Sequence, residues 1–175
     1  MRALKKTILS ALFLLSLTGC GKWLQDEELT LAKQPYNGNE LKLNGYYYYL
    51  HNGFVFHTYF FYKNGVCLYG NSFDQDDMFD GMNQVFLSDN FLHNLQKYNY
   101  GVFQIINDSI VFEKWAIGEG PKPVTRYLGT ILNDTTFIIN QHKSPHSGEV
   151  YQSNNEVFHF HAFSPKPDST NRYIQ

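Results

Sequence analysis

The sequence predicts an all-β domain with a minor helical insertion, an antiparallel meander of about eight strands that closes into a barrel. Three observations lead there. Aromatic residues make up 17% of the chain, nearly all of them Phe and Tyr, and these side chains suit a pleated, half-buried surface. Alanine, the strongest helix former, occurs beyond residue 40 only at Ala116 and Ala162. Short apolar runs alternate with Asn-Gly, Asn-Asp and Gly-rich turn signals at near-regular spacing, as expected of neighbouring strands joined by hairpins. Eight strands in chain order can close and leave no exposed edge. A barrel of that size has an interior that side chains fill or that holds one small ligand.

The first expected strand covers residues 41–50, is rich in Tyr and is broken by His51-Asn52-Gly53. The second covers 54–62 and ends at Asn64-Gly65, residues that tolerate the positive φ of a tight hairpin turn. Period-2 alternation puts Phe54, Phe56, Thr58, Phe60 and Tyr62 on one face, with Val55, His57, Tyr59 and Phe61 on the other. Both faces are aromatic, so one meets the core and the other lies under the helices or at a partner surface. The third strand is 66–70. Strands at 100–106 and 109–117 flank Asn107-Asp108, and those at 124–132 and 135–141 flank Asn133-Asp134. A polar loop at 142–155 precedes the last strand, 156–163.

Residues 72–99 are too long for a hairpin connection. Ser88-Asp89 has the chemistry of a helix N-cap, followed by Phe91, Leu92 and Leu95 on one helical face, and Met78, Phe79, Met82, Val85 and Phe86 show similar spacing just before it. One or two short helices are expected within 74–98, packed against the sheet or across one barrel end, their apolar faces closing the core.

The N-terminus is of another kind. Arg2, Lys5 and Lys6 precede an apolar run from Ile8 to Leu17. That run is too short to cross a bilayer, which takes about 20 apolar residues, and it reads as a secretory signal. The run Leu17-Thr18-Gly19-Cys20 resembles the lipobox of bacterial lipoproteins, in which the cysteine is acylated and becomes the mature N-terminus. The expected organisation is a signal peptide over 1–19, a lipidated Cys20 with a polar tether to residue 40, a barrel domain over 41–165 and a tail over 166–175. The tether carries Asp26-Glu27-Glu28 and admits a short helix around residues 24–33.

The whole chain has a formal charge of −2; residues 1–19 carry three basic and no acidic residues, so removing them leaves −5 (−2 less three positive charges). An acidic surface without a basic stripe argues against nucleic acid as a partner. With Cys20 lipidated, Cys67 stands alone in the apolar run Gly65-Val66-Cys67-Leu68-Tyr69. It reads as a small core residue rather than a reactive thiol.

The resemblance extends past the lipobox. Leu43-Asn44-Gly45-Tyr46-Tyr47, Phe61-Tyr62-Lys63-Asn64-Gly65, Asn133-Asp134-Thr135-Thr136-Phe137 and Lys166-Pro167-Asp168-Ser169-Thr170-Asn171 make the chain look like small lipoproteins of the Bacteroidota with a lipocalin-like β-barrel. The resemblance implies anchoring to the outer membrane through Cys20, facing the periplasm or the surface, and brings no established activity with it. Gly21 after the cysteine is compatible with outer-membrane sorting by analogy with other lipoproteins, and the acidic run soon after it loosely resembles a surface-export signal.

Three clusters carry possible chemistry. His159 and His161, two apart on a strand, share a face about 6.6 Å apart along it. They could chelate zinc or copper with a third ligand from His57, His142 or His146; the plainer reading is two partly exposed histidines on a terminal strand. Asp74, Asp76, Asp77 and Asp80 have oxygen ligands at calcium-loop spacing, but acids preceding a helix explain them equally well. Tyr46, Tyr48, Phe56, Tyr59 and Tyr62 could line a cavity or stack on a sugar, or simply be core and cross-strand pairs. Nucleophile elbows, phosphate loops and His-Glu-x-x-His runs are absent, and no motif calls for a cofactor. The leading expectation is a non-catalytic, lipid-anchored envelope protein that binds a small apolar or glycan ligand. The alternatives are a structural or assembly partner of an outer-membrane protein complex, and an unrecognised hydrolase or metal-binding protein.

Overall fold

Eight antiparallel strands close into a barrel. The computed structural model describes residues 25–52, 54–70 and 78–175, without the side chains of residues 54–56 and 78. In chain order the strands are β1 (Gly45–His51), β2 (Phe54–Phe61), β3 (Val66–Tyr69), β4 (Tyr100–Ile106), β5 (Ser109–Trp115), β6 (Val124–Asn133), β7 (Thr136–Lys143), β8 (Val150–Gln152) and β9 (Glu156–Ala162). Each of β1 to β5 pairs with the next, β6 pairs with β7, and β7–β9–β1 completes the ring. The three-residue β8 extends the β7 ladder beyond the point where β9 leaves it. It lies within the segment expected to be a polar loop; there Gln152 pairs opposite His142 and donates through Nε2 to Glu156.

The hairpin chemistry is as the turn residues imply. Gly65 sits at φ +81° and donates its N–H to the Tyr62 carbonyl. A Cβ there would also meet the Gln34 carbonyl oxygen at 2.1 Å, so glycine serves both the turn and the close passage of another segment. Asn107, at φ 54°, turns β4 into β5.

The barrel wall has two apolar faces. Inside lie Tyr47, Tyr59, Phe61, Cys67, Phe103, Phe112, Phe137 and Phe158, with Ile110 and Ile139. Their rings interlock: Phe137 stacks on Phe158 at 4.8 Å, Phe112 on Tyr127 at 4.5 Å, and Phe61 meets Phe103 edge-on at 4.9 Å. Such pairs add roughly 0.5–1.5 kcal/mol each beyond the area they bury. Outside, Tyr46, Phe60, Val66, Leu68 and Tyr100 form a second cluster with helices α1 (Met78–Leu87) and α2 (Asp89–His93). Met82, Phe86 and Phe91 are the buried helix residues of that cluster. The helices therefore cover the outer face of β1–β4 rather than a barrel end. Ser88 caps α2, its hydroxyl accepting the Phe91 N–H at 3.2 Å.

Residues 25–40, expected to be a polar tether with a possible helix, instead form an extended strap on the barrel. Four of their backbone donors bond to the barrel rather than within helical turns. The Glu27 N–H donates to the Lys122 carbonyl, the Thr30 and Leu31 N–H groups to the Glu113 carboxylate, and the Tyr36 N–H to the Lys63 carbonyl. The strap runs from the end holding the β5–β6 loop to the end holding the β2–β3 turn. There Tyr36 and Leu41 enter the interior cluster and close the barrel. The tail also docks: Lys166 donates to the Leu43 and Phe61 carbonyls at 2.6 and 2.7 Å.

Candidate functional site

The barrel end opposite the Tyr36 plug is lined by polar side chains. Inward parity on β5 is set by Ile110 and Phe112, and the next residue in that register is Lys114. It is 4% exposed. Its ammonium lies 4.5 Å from the centre of the Tyr69 ring and donates to the Trp115 carbonyl at 3.3 Å. Its backbone partner on β4 is Gly101, where a Cβ would sit 3.0 Å from Lys114 Cβ and 2.9 Å from Cys67 Sγ. The closest approach is the Glu113 carbonyl oxygen at 2.2 Å, so glycine at 101 first allows the β4–β5 backbones to meet and also leaves room beside the lysine. Among the described residues no carboxylate pairs with Lys114. Burial lowers its pKa to about 8, which still leaves it charged about ten times as often as neutral at pH 7. It therefore acts as a cation rather than as a free amine.

Around it stand His57, Tyr127, His142 and Glu156. The His142 Nε2 lies 3.2 Å from Glu156 Oε2, and Gln152 Nε2 donates to the other carboxylate oxygen at 2.8 Å. Both oxygens are engaged there, and no ion pair joins Glu156 to Lys114. Tyr127 sits between Phe112 and His142, 4.6 Å from the latter's ring. His57 packs against Tyr49, Tyr59 and Tyr69. Burial brings its pKa to about 4, with Lys114 and His142 pushing the same way and Glu156 opposing them. At neutral pH the described residues of this end thus present a buried cation at Lys114 and a neutral imidazole at His57, beside the hydrogen-bonded set of His142, Glu156 and Gln152. Burial raises the Tyr59 hydroxyl well above its ordinary pKa, and the Tyr127 hydroxyl pushes it the same way. Burial also lifts the Cys67 thiol to about 12, consistent with a core residue rather than a reactive one.

The residues singled out from sequence do not assemble as one site. Tyr59 points inward, whereas Tyr46, Tyr48 and Tyr62 point outward. Tyr46 packs on Phe86 and Phe163, Tyr48 on Phe79, and the Tyr62 hydroxyl donates to the Pro167 carbonyl at 2.6 Å. The Phe56 side chain and Cys20 lie outside the described residues, as do Asp74, Asp76 and Asp77; Asp80 is on α1. The metal set fails for the same reason of parity. Phe158 and Phe160 face inward, which turns His159 and His161 outward, away from His57. The two histidines do share a face, as the spacing implies. There the His161 ring stacks flat on Phe79 at 4.1 Å, and His159 lies beside Tyr48. Burial lowers the His161 pKa, with Asp80 opposing it, but no ion pair or hydrogen bond joins the two among the described residues. No group of three His, Cys, Asp or Glu among those residues could hold a metal ion.

Sequence reasoning passed over Lys114, although the inward register of Ile110 and Phe112 was a signal for it. His142 and Glu156 had no such signal, because their contact joins β7 to the first residue of β9. No family model, curated protein or solved structure matches this chain. No helix among the described residues is long and apolar enough to cross a membrane.

Proposed function

We propose that this chain is a non-catalytic, lipid-anchored binding protein of a bacterial cell envelope, acylated at Cys20, whose lipocalin-like barrel receives the anionic head of a small ligand at its polar end. The observation that carries the ligand site is Lys114, a buried cation with no carboxylate partner among the described residues. Burying a charge is costly unless it is paired, and a carboxylate or phosphate on a ligand would supply the missing counter-charge. The stacked rings of Phe112, Phe137 and Phe158 occupy the deep interior, so the ligand's head meets the polar end and its remainder stays at the mouth. The lipobox residues support the anchor and the resemblance supports outer-membrane placement; both rest on sequence.

The test is native mass spectrometry of the domain purified gently from its own host, alongside titration with laurate as an anionic amphiphile. A co-purified organic mass that disappears in Lys114→Met, with laurate affinity reduced at least tenfold, is the expected outcome. Equal laurate binding by both proteins would refute the site.

A second reading, an assembly partner of an outer-membrane protein complex, is favoured by a groove of about 330 Å³ on the outside of the barrel. It lies between the two helices and the tail, lined in part by Phe86, Leu92, Tyr100 and Pro167. A protein captured by the wild type and lost on Leu92→Asp would support that reading over the first.

A further inference from the structure

From the path of the strap we infer that the polar end of the barrel faces the bilayer, with the β1–β2, β5–β6 and β7–β9 loops against the lipid headgroups. This rests on the proposed acylation of Cys20 and adds an orientation that the anchor alone does not specify. Four residues, 21–24, separate Cys20 from Gln25. That spacer reaches about 18 Å at full stretch and about 12 Å as an average flexible coil.

The strap is fixed to the polar end as soon as it begins. Asp26 accepts from the Lys97 ammonium and from the Lys122 N–H, both at 2.7 Å. Glu27 accepts from the Trp115 indole through its carbonyl and from the Val124 N–H through its carboxylate, again at 2.7 Å. Trp115 and Val124 are the last residue of β5 and the first of β6, next to the β5–β6 loop. Tyr36, at the plugged end, is nine residues beyond Glu27, up to about 30 Å of extended chain. For the plugged end to meet the membrane, the spacer would have to span the barrel's height or the strap would have to detach from Glu113.

The surface on the polar end suits such contact. Ile117 is 61% exposed in the β5–β6 loop, Val150 and Tyr151 are 49% and 52% exposed on β8, and Leu50 is 36% exposed near the β1–β2 turn. Tyrosine and aliphatic tips at loop ends are at home in the headgroup region. Glu119 and Glu149 share these loops with Lys122 and His146, so there is no net basic attraction. The surface rests on the bilayer only because the anchor holds it there. Lys114 and its polar neighbours would then lie at the lipid-facing end of the barrel, the side from which an anionic amphiphile approaches.

The test uses the full acylated chain reconstituted in vesicles of phosphatidylethanolamine and phosphatidylglycerol, some carrying brominated lipid. Ile117→Cys on the polar end and Leu132→Cys and Ile106→Cys on the plugged end are each labelled with an environment-sensitive fluorophore; the buried Cys67 does not compete for the label. Quenching at position 117 at least twofold greater than at 132 and 106 is expected, with no vesicle binding by a chain beginning at residue 21. Equal quenching at both ends, or more at the plugged end, overturns the orientation and leaves the anchor standing. Vesicle association that persists unchanged in Cys20→Ser overturns anchor and orientation together. Shielding of residue 117 that needs a membrane protein extract, and is absent in pure lipid, overturns bilayer contact in favour of a protein partner.

Discussion

The two ends of the barrel are built from opposite chemistry. At the plugged end Tyr36, Leu41, Tyr47, Phe61 and Phe137 pack together, and the polar atoms there find partners. The Tyr36 hydroxyl donates to Glu40 and accepts from the Leu41 N–H, and the Tyr47 hydroxyl donates to the Asp134 carbonyl at 2.7 Å. At the other end Lys114 is buried with no carboxylate partner among the described residues, and burial keeps His57 neutral. The first arrangement is what stability alone favours. The second carries a cost to folding, and local costs of that kind are expected where a site serves a role other than folding.

The largest effect expected on this contrast is at the plugged end. Phe137→Ala should destabilise the barrel by about 3–5 kcal/mol, measured by urea unfolding; a loss below about 1 kcal/mol would show that this end is loosely packed. Next comes the strap latch. The Glu113 carboxylate is fully buried and accepts from the Thr30 hydroxyl, the Thr30 and Leu31 N–H groups and Arg126. Burial pushes its pKa up, but these hydrogen bonds outweigh that and hold it below the usual value. Its contribution is present above the ordinary glutamate pKa and is lost as pH falls through the lowered one. Glu113→Gln should cost about 3 kcal/mol and free the strap, seen as faster hydrogen exchange at the Thr30 and Leu31 amides. Unchanged exchange would mean the strap is held elsewhere.

At the polar end the sign reverses. With a folded pKa of about 8 against an ordinary 10.5, Lys114 imposes its full cost below pH 8, and that cost is relieved as pH rises toward 10.5. Lys114→Met should therefore stabilise the ligand-free protein by about 2–3 kcal/mol at pH 7. It should also make the melting temperature rise less, or fall more, with pH above 8, where Lys166, also at about 8, acts in the same sense as Lys114 and the raised Cys67 thiol opposes both. A destabilised Lys114→Met would make the lysine a structural group and erase the contrast. The smallest effect is that of His57. With a folded pKa of about 4, it costs nothing above pH 6.5 and destabilises progressively from 6.5 down to 4, because the unfolded chain binds the proton first. His57→Phe should remove about 2 kcal/mol of that acid loss, read from denaturation midpoints at pH 7 and pH 4.5.

Much of the fold was legible because its signals are local. Asn64-Gly65, Asn107-Asp108 and Asn133-Asp134 mark turns through their own backbone preferences, and alternation in 57–62 separated the inner from the outer face. Ser88 announced a helix through a hydroxyl three residues from its partner amide. The proposed site was far less legible. Tyr46, Tyr48 and Tyr62 were grouped with Tyr59 by residue type, although parity places them on the other side of the wall. His57 was likewise grouped with His159 and His161. Which parity faces in depends on what covers each face, and that information lies in other segments.

The sequence by itself determined the strand order, the turns and the capped helix, because each depends on neighbours a few residues apart. Tertiary structure alone decided that the barrel closes through β6–β7 and β9–β1, and that residues 25–40 are a strap held by Glu113. It alone brought Lys114 into the company of His57, His142 and Glu156. Closure and burial are sums over contacts between distant segments, and a charge becomes a site only when those contacts remove it from water.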